Sequence, residues 1–418
     1  MRPLVGSAVE TAAIPVEVAN SMLSDSTTTI VTERPLVADV VAGAPRVAEI
    51  AARCAAETEA TRRLAPEVVE AVREAGFGRH FVPAAFGGAE GRFADMTAAV
   101  TLVGQGCASA AWAASLSAYA ARYGAFLPLE GQAEIWADGP DALMAGALMP
   151  AGKAEPASGG WRLSGEWKYI SGVRFADWVF ACSAVPDGQV GPDGRPEVRF
   201  FAVPRADIAV KDTWFTMGMR GTGSDTMVLD DVFVPGHRTL SRFDINAGRA
   251  PASEARCHTV PVDALNALPL AVPLLGAARG ALRVGAEQTM RRVDRRGAPA
   301  REKPPVQIEL ARAAGEVDAA ELLMQRAARV ADGDEPAREG EAAVRGPRDL
   351  ALAVELLVSA VDRIFKSGGT TAHFESDPVQ RYWRDINTAA SHVIFDFETT
   401  GAAFGAWVLG VEGAERGR

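Results

Sequence analysis

The chain is poor in the side chains from which many catalytic centres are assembled. Its 418 residues include five histidines, four cysteines and four tyrosines. Cys54, Cys107, Cys182 and Cys257 are scattered without CxxC spacing. That pattern excludes a disulfide framework and a thiolate zinc site, and implies buried thiols in a reducing, cytoplasmic setting. HExxH, GxSxG and the P-loop pattern are all missing, which sets aside zinc-peptidase, nucleophile-elbow and nucleotide-triphosphate chemistry. No metal is expected. No apolar run approaches the roughly 18 residues of a membrane span, and the N-terminus lacks the charged-then-apolar pattern of a secretory leader. Positive charge is in deficit, with 43 Lys and Arg against 53 Asp and Glu. This balance argues against nucleic-acid and anionic-membrane partners.

What is present is a large hydrophobic share, 48%, enough for a soluble protein with a substantial core. Residues 1–38 are rich in Ser, Thr and Val without sustained periodicity and read as a flexible extension. Residues 39–140 carry helical periodicity, with Asp95 as a candidate cap. Within them, Trp112, Ser115 and Tyr119 share one face of an Ala-rich helix, which serves either core packing or a substrate pocket. Residues 141–245 change to short apolar runs separated by turns, the signature of an inserted antiparallel β domain. Residues 246–418 return to helices. One helix from Leu268 continues through Gly285–Arg296, an acidic loop covers 332–346, a helix runs from Asp349 to Phe365, and Asp377-Pro378 opens a last helix. The expected class is mainly α with inserted β: an N-terminal helical domain, a central β domain and a C-terminal four-helix bundle.

The stretch 163–182 organises this plan. Trp167, Tyr169 and Ser171 alternate with polar neighbours as in a half-buried strand, and Gly165 and Gly172 punctuate it. Aromatic bodies beside a hydroxyl make a wall that suits a planar ring, and they equally suit an ordinary strand pair. Met217–Ser224 is Gly-rich but lacks the strand–GxGxxG–helix context, so it reads as a β connection. The basic group Arg291, Arg292, Arg295 and Arg296 reads as a helix end or as a phosphate contact, including one from a neighbouring subunit. His392 sits in an apolar segment and reads as a core histidine or as a partner for a phenol.

Several motifs in order resemble the acyl-CoA dehydrogenase fold: Trp167–Gly172, Trp214–Ser224 with Leu229–Pro235, and Gly368-Gly369 with Arg381–Asp385. The segments Ser109–Trp112, Gly146–Pro150, Asp377–Arg381 and Ala390–His392 are similar to the oxygenase components of two-component (group D) flavin-dependent monooxygenases, and most of all to actinorhodin-type aromatic polyketide hydroxylases. The dehydrogenases' base is replaced by Ala390–Ile394, which holds no carboxylate.

The resemblance implies reduced FMN (FAD possible) from a separate NAD(P)H:flavin reductase, molecular oxygen as co-substrate, a C4a-hydroperoxyflavin, and a homotetramer. It places Trp167, Tyr169, Ser171 and Gly172 around the flavin, with Ser171 near N5. Arg291, Arg295, Gly368 and Gly369 would take the phosphate end. Trp112, Ser115, Tyr119 and His392 would face a phenolic or quinone polyketide, with His392 as its base. An acyl-CoA dehydrogenase and an amino-sugar N-oxygenase of the same fold are the alternatives.

Overall fold

The computed structural model describes residues 39–411, except 187–189, 191–193, 195, 263–264, 266 and 339. The expected extension at 1–38 lies outside these residues.

Asp39 opens the first helix by accepting from the Val41 N–H at 2.9 Å, which satisfies one orphan donor of the first turn. The N-terminal helices are α1 (Val40–Arg53), α2 (Ala55–Thr61), α3 (Pro66–Glu74), α4 (Phe93–Gly106), α5 (Ala108–Gly124) and α6 (Leu129–Ile135). Asp95 is not the cap of α4. Asp332, distant in sequence, accepts from the N–H groups of Phe93 and Ala94 at 2.8 and 3.0 Å. A cap supplied across the fold leaves no local signal.

The central region is two four-stranded sheets. They are built from β1 (Met144–Gly146), β2 (Lys153–Ala157), β3 (Gly160–Ile170), β4 (Trp178–Ala184), β5 (Val198–Pro204), β6 (Ala209–Lys211), β7 (Asp225–Pro235) and β8 (Thr239–Ser241). Their orders are β1-β4-β5-β8 and β2-β3-β7-β6. All pairings are antiparallel except β1 with β4, which is parallel. The alternation of β3 places Leu163 and Trp167 in the core between the sheets, with Met227 and Leu229 of β7, and a register shift after Trp167 brings Ile170 to the same core.

The remaining helices are α7 (Arg242–Ala247), α8 (Arg256–Thr259), α9 (Leu268–Arg291), α10 (Pro304–Asp332), α11 (Glu341–Ser367), α12 (Pro378–Ala390) and α13 (Phe397–Val408). The long helices α9, α10, α11 and α12 pack on one another, and α4 and α5 extend the same core. Helices α4 and α9 cross closely at two glycines: a Cβ on Gly104 would stand 2.8 Å from the Gly276 Cα.

Two helix ends differ from expectation, and the helix expected to be last starts where expected but is followed by another. Helix α9 stops at Arg291, because the Asp294 carboxylate takes the N–H groups of Arg296 and Ala298 into a turn at 2.8 and 3.0 Å. Helix α11 starts at Glu341, eight residues before Asp349, and runs through Pro347. Helix α12 starts at Pro378 with Asp377 as its cap. It ends at Ala390, and α13 follows with Asp396 accepting from Thr399 N–H. None of the described helices is long and apolar enough to cross a membrane.

Candidate active site

A cleft of about 1520 Å³ opens between the β sheets, α5, the start of α9 and the turn after α12. Its β side is set by an irregularity. The β3–β7 register shifts between Trp167 and Ile170, and Tyr169 sits there at φ 64°. Such a bulge re-aims side chains. It leaves Tyr169 72% exposed, with its ring 6.0 Å from Trp214 in an edge arrangement. Ser171 follows at the strand end. Gly172, at φ 76°, turns the chain away, and its N–H donates to the Thr222 carbonyl at 3.0 Å.

The Ser171 hydroxyl sits at the end of a run of polar groups. Trp112 of α5 donates its indole N–H to Ser171 Oγ at 3.0 Å. Ser171 Oγ meets Ser224 Oγ at 2.8 Å, and Ser224 Oγ meets Thr222 Oγ1 at 2.7 Å. Thr222 in turn donates to the Met219 carbonyl at 2.8 Å. Ser224 and Thr222 are buried, while Ser171 is half-buried and borders the cleft.

The Trp214–Ser224 segment is fastened from several directions. Trp214 donates its indole N–H to the Met219 carbonyl at 2.9 Å, and the Asp225 carboxylate accepts from the N–H groups of Thr213 and Trp214 at 2.9 and 3.1 Å. From α12, Asp385 accepts from the Met219 N–H at 2.6 Å, and Arg384 donates to the Met217 carbonyl. Burial pushes Asp385 up to about 6 from the usual carboxylate range, against the opposing hydrogen bond from Met219 and the charges of Arg381 and Arg384.

Across the cleft, His392 follows the end of α12 and caps the next turn. Its Nδ1 accepts from the Ile394 N–H at 3.2 Å. That contact places the ring proton of the neutral imidazole on Nε2. Its surroundings lower the pKa of His392 by desolvating the charged form. In this arrangement the ring offers an Nε2–H donor to the cleft. The expected role as a base would use Nε2 toward the cleft, with the ring proton moved to Nδ1 and the Ile394 contact given up.

The other expected site residues divide sharply. Tyr119 borders the cleft, and burial raises its phenol well above the usual range. Ser115 does not reach the cleft. It is 1% exposed and donates to the Pro269 carbonyl at 2.8 Å. The reason is local: the helical partner of that carbonyl would be residue 273, which is Pro and has no N–H. Ser115 supplies the missing donor. Trp167 borders the cleft but is 0% exposed. Its indole N–H donates to the Cys182 carbonyl at 2.7 Å, so it backs the wall and offers no face for stacking. Arg291, Arg295, Gly368 and Gly369 lie outside the cleft lining. Their segments meet each other, since Arg292 donates to the Ser367 carbonyl.

Sequence reasoning missed Ser224, Thr222 and Met219 as site residues, although they stand inside a quoted motif. It also missed Arg242 and Asn246 of α7, which line the cleft one helical turn apart. Among the described lining residues the sole carboxylate is Glu166, which is exposed and paired with Lys211. No described group of His, Cys, Asp and Glu could hold a metal.

A family model described as acyl-CoA dehydrogenase, C-terminal domain, matches residues 268–397. The oxygenase component of the FADH(2)-dependent resorcinol hydroxylase of Rhizobium sp. (strain MTP-10005) is 36% identical, over 88% of this chain and 93% of its own. The flavin-dependent monooxygenase oxygenase subunit HsaA of Rhodococcus jostii (strain RHA1) is 31% identical, over 85% of this chain and 94% of its own. XiaF from Streptomyces sp., solved in complex with FADH2 and glycerol, matches with a TM-score of 0.81 at 29% identity and covers 90% of this chain and 96% of that one. The architecture is therefore that of the acyl-CoA dehydrogenase fold. Within it, the chain belongs to the oxygenase components of two-component flavin-dependent monooxygenases.

Proposed function

We propose that the protein hydroxylates a phenolic aromatic compound with molecular oxygen, using reduced flavin supplied by a separate NAD(P)H:flavin reductase. The observation that carries this reading is one cleft with a hydroxyl acceptor, Ser171, on its β side and an imidazole donor, His392, on its helical side. At about 1520 Å³ it exceeds the roughly 300–1,000 Å³ of a single small-molecule site. The excess supports a flavin ring and an aromatic substrate held together.

The residues present fit a flavin. Tyr169 and Trp214 offer exposed or half-exposed aromatic surface beside Ser171, and Ser171 has acceptor capacity open to the cleft. The bound reduced flavin supplies the chemistry that activates oxygen. The chain's own residues hold it, exclude water and orient the phenol. Trp112 and Tyr119 face the substrate from α5. His392 donates from Nε2–H to the phenol oxygen, which holds the phenol in one orientation and sets the ring carbon that is hydroxylated. One relative is an FADH(2)-dependent hydroxylase and another was solved in complex with FADH2, which supports reduced FAD over the FMN that the resemblance implies. The cleft's size supports a polycyclic phenol of polyketide type. Arg291, Arg295, Gly368 and Gly369 would meet a flavin phosphate only across subunits of a homotetramer. A thioester dehydrogenation reading loses support from the lining, where the one described carboxylate is tied to Lys211.

The test is anaerobic titration with reduced FAD and reduced FMN, followed by oxygen, with a panel of mono- and polycyclic phenols. The expected result is a hydroxylated phenol in coupled yield. Release of peroxide alone with every phenol, together with oxidation of an acyl thioester, would overturn the reading.

A further inference from the structure

The run of hydroxyls behind Ser171 has a fixed direction. At one end stands an indole N–H, which only donates. At the other stands the Met219 carbonyl, which only accepts. Thr222 Oγ1 lies 2.8 Å from that carbonyl oxygen, a distance that needs the Thr222 proton between them. Thr222 therefore accepts from Ser224 at 2.7 Å, and Ser224 accepts from Ser171 at 2.8 Å. Ser171 spends its one proton inward. One of its two lone pairs receives the Trp112 N–H at 3.0 Å, and the other is left for the cleft.

We infer that this polarised chain makes Ser171 an acceptor-only contact, and that Ser224 and Thr222 thereby select the reduced over the oxidised flavin. The inference rests on the reading that flavin N5 lies at Ser171. Reduced flavin carries N5–H and donates. Oxidised flavin presents a bare N5 lone pair, which needs a donor. Ser171 can turn its proton toward oxidised N5 only by withdrawing it from Ser224. That leaves a buried Ser224 oxygen without its donor, at 4% exposure. The backbone clamp between Gly172 N–H and the Thr222 carbonyl at 3.0 Å holds the two segments that carry the chain together. The selection has a use in a two-component system, where oxidised flavin competes for the cleft after each turnover and in the surrounding solution. Ser224 and Thr222 are positioning residues: they act through Ser171.

The test uses the full chain and measures dissociation constants for reduced FAD, anaerobically, and for oxidised FAD. Wild type is expected to prefer the reduced form. Ser224→Ala and Thr222→Val free the Ser171 proton, so the preference should fall about tenfold, equivalent to about 1.4 kcal/mol. The midpoint potential of the bound flavin should fall with it, by about 30 mV for this two-electron couple. Ser224→Thr keeps the hydroxyl and should restore both. Equal weakening of both redox forms in Ser224→Ala, with an unchanged potential, would overturn the proposal, because that is the signature of a purely structural role. Failure of wild type to bind reduced flavin at all would overturn the functional reading as well. Tight reduced-flavin binding with no change in either variant would overturn the chain alone.

Discussion

The two sides of the cleft are held by different means. On the β side, Ser171, Ser224 and Thr222 form a buried chain whose ends are an indole N–H and a carbonyl, and the loop that carries it is fastened by Asp225 and Asp385. On the helical side, His392 sits on a short turn, with part of its ring open and the rest desolvated by its neighbours. Its side chain makes one hydrogen bond, to Ile394 N–H at 3.2 Å, and its ring stands 6.2 Å from Phe395. The first side is pre-organised and the second adjustable. That difference suits a site in which one ligand is a constant cofactor and the other is the variable substrate.

The comparison breaks most readily at His392. His392→Ala should lower hydroxylated product per reduced flavin consumed by about a hundredfold, the effect of losing the contact that orients the phenol, while reduced-flavin affinity stays at the wild-type level. Product analysis beside a binding titration checks this, and coupled hydroxylation equal to wild type would sink the role. The pH profile sharpens the point. Desolvation lowers the His392 pKa, so the neutral ring persists below the usual value of about 6.5. Protonation places a hydrogen on Nδ1 and ejects the Ile394 N–H. Coupling should therefore hold through neutral pH and fall only on the acid side of that value.

On the β side the strongest perturbation is at Asp385. Asp385→Ala leaves the buried Met219 N–H unpaired and should destabilise the protein by about 2–3 kcal/mol. It should also erase the redox preference by loosening the loop. Asp385→Asn keeps an acceptor and removes the titration. Since burial raises the folded pKa to about 6 from 3.8, the contribution of this group is fully present below about pH 4 and is lost as pH rises through 6. The difference in melting temperature between wild type and Asp385→Asn should change across that window and be flat outside it. A flat difference from pH 4 to 7 would show that the carboxyl titrates normally and that the fastening is weaker than the geometry implies.

Much of this contrast was legible in the sequence. Periodicity and turn residues gave the helix–β–helix order, and the β3 pattern singled out the stretch that ends at Ser171. Its finer use was hidden for physical reasons. Trp167 and Tyr169 look alike as strand aromatics, yet the bulge turns Tyr169 into the cleft and leaves Trp167 in the core. Ser224 and Thr222 are 53 and 51 residues from Ser171, and only the β3–β7 pairing joins them. The cap of α4 by Asp332 is equally non-local. His392 was found by its isolation in an apolar segment, but its tautomer depends on a backbone contact two residues away, which no residue pattern encodes.

The mildest expected effect concerns α5, the helix that joins the two sides by donating from Trp112 and presenting Tyr119. Ser115 lies on the same face, and helical spacing alone assigns it to the pocket. The structure gives it to the Pro269 carbonyl, whose helical donor is removed by Pro273. Ser115→Ala should therefore cost about 1 kcal/mol of stability, with KM and product coupling unchanged. Ser115→Thr, which keeps the hydroxyl, should recover part of that loss. Chemical denaturation and steady-state coupling on the same samples separate the cases. Stability loss without a kinetic change keeps α5 as a scaffold. Loss of coupling at full stability would instead put Ser115 at the substrate. Loss of both, with reduced-flavin preference also weakened, would mean that seating α5 on α9 sets the Trp112 donor, and the fixed side would then extend from the β strands into the helical bundle.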